Sequence, residues 1–322
     1  MPFFATGQNE VFRIRNQETF FFMRIGTGIL APAIIGALLS ASTPGRASAE
    51  NAVGAFSPDL KELCAPDPHD PPAQWLISKQ LSPDSWASRF SCDAPASSTI
   101  LRISVHPGDA ANPNPDDKPT ERVEAQVRQE VVKFDQPTWY HFRFRLEAPW
   151  QGTDNRTVIH QVKQDIPYAD QLPKGDCHAA IPLFAVQARR SPTGADFLAR
   201  VHGAKDCNQG KSKTICGPWH VDVGTWNDVN VLLKPSLADG ASEVRVWFNG
   251  RSCKPYFGIL GYADHGARDG AGHPFIDTQP RFGIYRDALS DITQTIGFSD
   301  ISFWSSAPTR DPAWSSIALP ND

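Results

Sequence analysis

The chain has 322 residues, a formal net charge of −4, 40% hydrophobic residues, 28 prolines and 23 glycines. That length holds one large β domain or two ordinary ones, with a sizeable core. The acidic balance argues against a nucleic-acid partner, and the abundance of Pro and Gly argues against long helices.

Met23-Arg24 precedes an apolar run from Ile25 to Leu39, and small residues follow up to Ala47-Ser48-Ala49. A charged start, a short apolar stretch and an A-x-A site read as a secretory signal, with Met23 as the expected start. Residues 1–49 are therefore assigned to an N-terminal extension plus signal peptide, and the mature protein is expected to be secreted or periplasmic. Pro32 and Gly36 interrupt the run, which is short for a membrane span. A retained anchor is the alternative; no stable membrane insertion is expected once the signal is removed. All six cysteines lie downstream, at positions 64, 92, 177, 207, 216 and 253. An even number in an exported chain points to disulfides. Cys64 with Cys92 would tie down the N-terminal segment, and the other four are expected to pair among themselves. Zinc is the rival use, but no C-x-x-C is present, so no metal site is assigned.

Residues 50–98, rich in Pro, Ser, Asp and Ala, read as a disulfide-pinned wrap into which Trp75 and Trp86 dock. From Ile100 the pattern becomes β-rich. Ile100–His106, Arg122–Arg128, Trp139–Leu146 and Thr157–Lys163 read as strands. Leu183–Ala188 and Phe197–His202 form a pair around the turn Ser191-Pro192-Thr193-Gly194. Asp228–Lys234 and Glu243–Phe248 follow, the latter ending in the tight-turn signal Asn249-Gly250. Pro280–Arg286 and Thr295–Trp304 close the series. Ser236–Ala241 reads as a loop. The polar loop from Gly108 to Pro119 carries Asp and Asn residues that form turns; they could bind Ca²⁺, although their spacing matches no motif. About ten short strands with little helical periodicity make the chain all-β. The expected architecture over residues 99–322 is an antiparallel β-sandwich, a jelly roll of the concanavalin A-like kind.

Three strands place polar residues on one face. Side chains alternate across a strand, so Arg122, Glu124 and Gln126 share a face opposite Val123, Ala125 and Val127. Gln161 and Lys163 share another, with His160, Val158 and Val162 opposite. Arg281 and Tyr285 flank Gly283, with Phe282 and Ile284 directed into a core. If these strands are neighbours, their polar faces build one groove suited to a polymer bearing carboxylates. His202 follows Leu198 and Arg200 on one face and would border that groove. His160 reads as a core histidine, His141 as a solvated one. Trp139, Trp247 and Trp304 read as core, while Trp219 or Trp226, near loops, could stack on sugars.

The order Glu-Arg-x-Glu, Val-Ile-x-Gln-x-Lys, Val-Trp-Phe-Asn-Gly and Arg-Phe-Gly-Ile-Tyr-Arg resembles jelly-roll polysaccharide lyases of the alginate, glucuronan and heparinase types, over roughly residues 99–306. In the alginate-lyase pattern the strands read Arg-x-Glu, Gln-x-His and Lys-x-Gly-x-Tyr. Here Lys163 stands in place of the histidine and Arg281 in place of the lysine. The second swap keeps the charge, but an Arg fork binds carboxylate bidentately and does not deprotonate. The first removes the imidazole.

The resemblance implies β-elimination on a uronic-acid polymer, with an anionic polysaccharide as partner, no required cofactor, and a monomer. Removing the C5 proton of a uronate builds charge on its carboxylate, which cations and donors must stabilise. Arg122, Gln161 and Arg281 suit that role, with Glu124 orienting Arg122. Tyr285 can protonate the departing oxygen and can act as base where cations favour its phenolate; Lys163 and His202 are the other candidate bases. Two further functions compete. A glycoside hydrolase needs two close carboxylates, and no Glu-x-Asp-x-x-Glu string occurs. A non-catalytic carbohydrate-binding module remains compatible with Lys163.

Overall fold

The computed structural model describes residues 55–317 and 319, apart from 79–80, 94–97, 110–118, 152–155, 166–180, 205–210, 263–276 and 289–290. The signal segment, most of the Gly108–Pro119 loop, Cys177 and Cys207 therefore lie outside the described residues. The strands are β1 (Trp75–Ile77), β2 (Phe90–Asp93), β3 (Ile100–Val105), β4 (Thr120–Val127), β5 (Thr138–Leu146) and β6 (Thr157–Asp165). Then come β7 (Ile181–Ser191), β8 (Gly194–Ala204), β9 (Lys211–Asp222), β10 (Asn227–Lys234) and β11 (Ser242–Phe248). Last are β12 (Arg251–Ser252), β13 (Tyr256–Gly258), β14 (Gly261–Tyr262), β15 (Asp277–Asp287) and β16 (Gln294–Trp304).

They form two 8-stranded sheets. The first runs β1-β4-β15-β6-β7-β8-β14, with β9 also on β8; the second runs β12-β11-β10-β5-β16-β3-β2, with β13 on β11. The ladders are antiparallel except for β14 on β8. This is the expected antiparallel sandwich. It differs from expectation at its edges. The 50–98 segment does not only wrap the surface: β1 extends the first sheet beside β4 and β2 extends the second beside β3. The Cys64–Cys92 disulfide holds this segment as expected, and Cys216 bonds to Cys253. Strand β9 escapes a pattern reading because Gly217-Pro218 reads as a turn. As an outer strand paired only with β8, it loses no second ladder to that proline. Pro280 lies within β15 on the same logic: it pairs with Val162 of β6, while the β4 ladder begins one residue later at Arg281.

The core lies between the sheets. Alternation in β5 directs Tyr140, Phe142, Phe144 and Leu146 inward, where Phe142 meets Phe282 at 5.4 Å and Phe144 meets Phe197 at 4.8 Å between ring centroids. Trp75 is fully buried and meets Phe282 edge-on. On the outer face of the second sheet, Trp139, Trp247 and Trp304 pack with Trp314 into a smaller apolar cluster. His141 departs from expectation: it is buried, its Nε2 3.2 Å from Asp228 Oδ1 and its Nδ1 3.2 Å from the Asp300 carbonyl. The alternation placed it correctly on the outer face, but neighbouring strands cover it there.

His160 is the core histidine expected. Its ring lies 4.5 Å from that of Phe282, and its two nitrogens bond the Arg281 carbonyl at 2.9 Å and the Tyr140 hydroxyl at 3.1 Å. Burial pushes its pKa down to about 3, against the opposing pull of the Arg281 carbonyl. The neutral ring therefore donates from Nδ1 and accepts the Tyr140 proton at Nε2.

Gly283 has φ +144°, and a Cβ there would fall 2.2 Å from the Val123 carbonyl oxygen and 2.7 Å from Glu124 Cα. Gly283→Ala is accordingly expected to destabilise the fold by at least about 1–3 kcal/mol, seen as a lower urea midpoint; an unchanged midpoint would contradict this packing. The pH dependence has a definite sign. Between pH 6.5 and about 3 the unfolded chain protonates His160 and the folded chain does not. Stability is therefore full above pH 6.5 and declines below it, by about 1 kcal/mol per pH unit for this residue. His160→Asn should flatten that slope in urea titrations at a series of pH values, and an equal slope would remove His160 as its source.

Candidate active site

The outer face of the first sheet carries the polar residues that the alternation singled out. Strands β4, β15 and β6 are neighbours in that order, so the three motifs share one surface. The register sets their mutual positions. One rung holds Arg122, Tyr285, Val158, Gln187 and Leu198; another holds Gln126, Arg281, Gln161, Ala185 and Arg200. Gly283 pairs with Glu124 between them. A register shift between Phe282 and Tyr285 in the β15–β6 ladder puts Val158 opposite Tyr285, on this face. It was expected beside His160; the bulge breaks the two-residue alternation.

Glu124 is the centre of the arrangement. Its side chain is 1% exposed, and its Oε2 lies 3.1 Å from Arg122 Nε. Gln161 Nε2 donates to its other oxygen at 2.5 Å. Strands two places apart are roughly 10 Å apart, so this second bond spans β15. It passes at Gly283, where no side chain intervenes.

Tyr285 stands at the next rung. The Arg122 guanidinium carbon lies 4.3 Å from its ring centroid and that of Arg156 lies 4.6 Å away. Arg156 Nη2 donates to the Tyr285 hydroxyl oxygen at 3.1 Å and pairs with Asp287 Oδ1 at 3.1 Å. With Arg156 occupying a lone pair, the phenol proton is left to point elsewhere. Arg156 was not singled out from the sequence. Simple alternation would have put it with Val158 and His160 on the other face; the register shift that turns Val158 outward turns Arg156, two residues earlier, toward the end of the Tyr285 strand, where the Asp287 amide bonds its carbonyl at 3.0 Å.

The remaining candidates are spread out. Arg281 lies one rung beyond Gly283 and bonds Gln279. Lys163 pairs with Gln279, six residues along β15 from Tyr285, or roughly 20 Å. His202 is on β8, three strand spacings from β15 and on the far side of the Arg200 rung. Burial, then the nearby Arg200, push its pKa down to about 4. The structure thus gathers Arg122, Glu124, Gln161 and Tyr285, and leaves Lys163 and His202 away from them. Trp219 and Trp226 do not face this surface: Trp219 stacks on the core residue Phe248, and Trp226 packs under Arg143 and Arg145 of the second sheet.

A two-sheet antiparallel sandwich hosts many functions, and the family comparison is what narrows them. The family described as polysaccharide lyase matches residues 87–302. The chain belongs to this polysaccharide lyase family. Among solved structures, an endo-β-1,4-glucuronan lyase from the fungus Trichoderma reesei is 14% identical, with 67% of this chain and 87% of that chain covered and a TM-score of 0.49. An alginate lyase from Pseudomonas aeruginosa is 14% identical, covering 72% and 97% respectively, at a TM-score of 0.46. An alginate lyase from Klebsiella pneumoniae is 10% identical, covering 73% and 96%, at 0.46. No curated protein matches the chain.

Glu124→Ala should cost about 3–5 kcal/mol of stability, because Arg122 loses its counter-ion and Gln161 its acceptor in one substitution. Urea unfolding measures this, and wild-type stability in the variant would show that Glu124 does not hold the two together.

Proposed function

We propose that this lyase binds the uronate carboxylate against Arg122 and Gln161 and carries out elimination at Tyr285. The observation that carries this reading is the unit Arg156–Tyr285–Arg122–Glu124–Gln161, connected by contacts of 2.5–4.6 Å. Glu124 holds one N–H of Gln161 and one edge of Arg122, so both side chains are fixed beside Tyr285. Such fixed donors stabilise the charge that builds on the carboxylate as the C5 proton leaves.

Tyr285 is the group in this unit able to move a proton. In its phenolate form the oxygen takes the proton from C5, the C4–C5 double bond forms and the C4–O bond breaks; the resulting phenol gives that proton to the departing glycosidic oxygen and the phenolate is regenerated. The proton count closes with no water consumed. The positions of Lys163 and Arg281 along the same face suit them to carboxylates of neighbouring units, and their distance from Tyr285 weighs against Lys163 as the base. No metal or cofactor enters these steps. Secretion is part of the same reading: the chain carries disulfides at Cys64–Cys92 and Cys216–Cys253, which persist in oxidising compartments.

The test follows ultraviolet absorbance from unsaturated uronate while the secreted protein is incubated with alginate, glucuronan and glycosaminoglycans. Wild type should raise absorbance on at least one polymer. Tyr285→Phe should lower kcat by about 10²–10⁴-fold with substrate affinity retained. Unchanged turnover in that variant would remove Tyr285 from the mechanism.

A further inference from the structure

The same face carries a second cluster at its other side. On β8, Arg200 and His202 follow Leu198 in alternation, and on β9 Thr214 and Ser212 stand directly opposite them. Three buried side-chain atoms here have no hydrogen-bond partner among the described residues: Arg200 Nε, His202 Nε2 and Ser212 Oγ. Arg200 Nη1 donates to Gln187 Oε1 at 3.1 Å, which fixes the plane of the guanidinium. No carboxylate balances it among the described residues. Burial, and then the neighbouring cation Arg189, pull its pKa below the ordinary value.

Three other buried or part-buried arginines are neutralised. Arg122 has Glu124, Arg89 has Asp109, and the fully buried Arg286 has Glu121. A partly buried cation without a counter-ion, next to two unsatisfied polar atoms, costs free energy unless a ligand completes it. The cluster is also aligned with the centre already described. Arg200 shares the rung of Arg281 and Gln161, with only the methyl of Ala185 between. From β15 to β8 is three strand spacings, roughly 14 Å. That is too far to touch the unit being cleaved and in line to touch another unit of the same polymer.

We propose that Arg200, His202 and Ser212 form a distal subsite that binds the carboxylate and a hydroxyl of a uronate unit remote from the cleavage point. Arg200 takes the carboxylate, while His202 Nε2 and Ser212 Oγ take hydroxyls. The proposal rests on the reading of this face as a uronate lyase, and gives His202 a binding role in place of that of base.

The experiment uses the full mature chain carrying Tyr285→Phe, whose turnover is expected to be slow enough for binding to be measured, and calorimetry with oligosaccharides of increasing length from the polymer that wild type cleaves. Adding Arg200→Gln should weaken the long oligosaccharides about tenfold and leave the shortest unaffected. Ser212→Ala, a minimal change to the fold, should act in the same direction with a smaller effect. Equal affinity at every length in both variants overturns the subsite. An equal loss at every length also overturns it, since that places Arg200 at the cleavage centre. If wild type cleaves no uronate polymer, the lyase reading fails first, and that is seen with Arg200 intact.

Discussion

The bond between Gln161 and Glu124 across β15 is the constraint on which the site depends. It joins side chains from strands that are not neighbours, and it needs the strand between them to have no side chain at that rung. Gly283 meets the need twice. It leaves the rung open, and its positive φ and close approach to β4 admit no Cβ. A single glycine therefore sets the path of β15 past β4 and clears the space through which Glu124 collects Arg122 and Gln161. Because Glu124 is buried, ion-paired with Arg122 and bonded by Gln161, it acts as an anchor. That removes it as the free carboxylate a hydrolytic mechanism would require.

The core supports this arrangement from beneath. His160 lies under the register shift of β15, with one nitrogen on the Arg281 carbonyl and the other on Tyr140 of the opposite sheet. A buried ring hydrogen-bonded at both ends couples the backbone of the site strand to the second sheet. The bulge it accompanies turns Val158 toward Tyr285, and Arg156, two residues earlier, then reaches the phenol oxygen. Packing, register and the electrostatics of the site are thus set by the same few residues.

Much of this was legible from alternation alone. The faces of Arg122, Glu124, Arg281 and Tyr285 follow from a period of two, and the Cys64–Cys92 pair followed from position. What could not be read was register. Lys163 and His202 have the right chemistry and the right face, yet nothing local reveals that they fall at other rungs than Tyr285. Bulges and edges were hidden for related reasons. A shift of one residue moved Val158 to the other face, Gly217-Pro218 masked an outer strand, and Arg156 stood just outside a recognised strand. His141 was misjudged because covering by neighbouring strands is a tertiary fact.

The central claim is elimination at Tyr285 rather than hydrolysis, and it is tested most directly by where the oxygen of the new chain end comes from. Polymer cleaved in water enriched in heavy oxygen, with products weighed by mass spectrometry, gives the answer in one step. The account predicts products with no solvent oxygen and an unsaturated uronate at each new non-reducing end. Incorporation of one solvent oxygen per cleavage would contradict it.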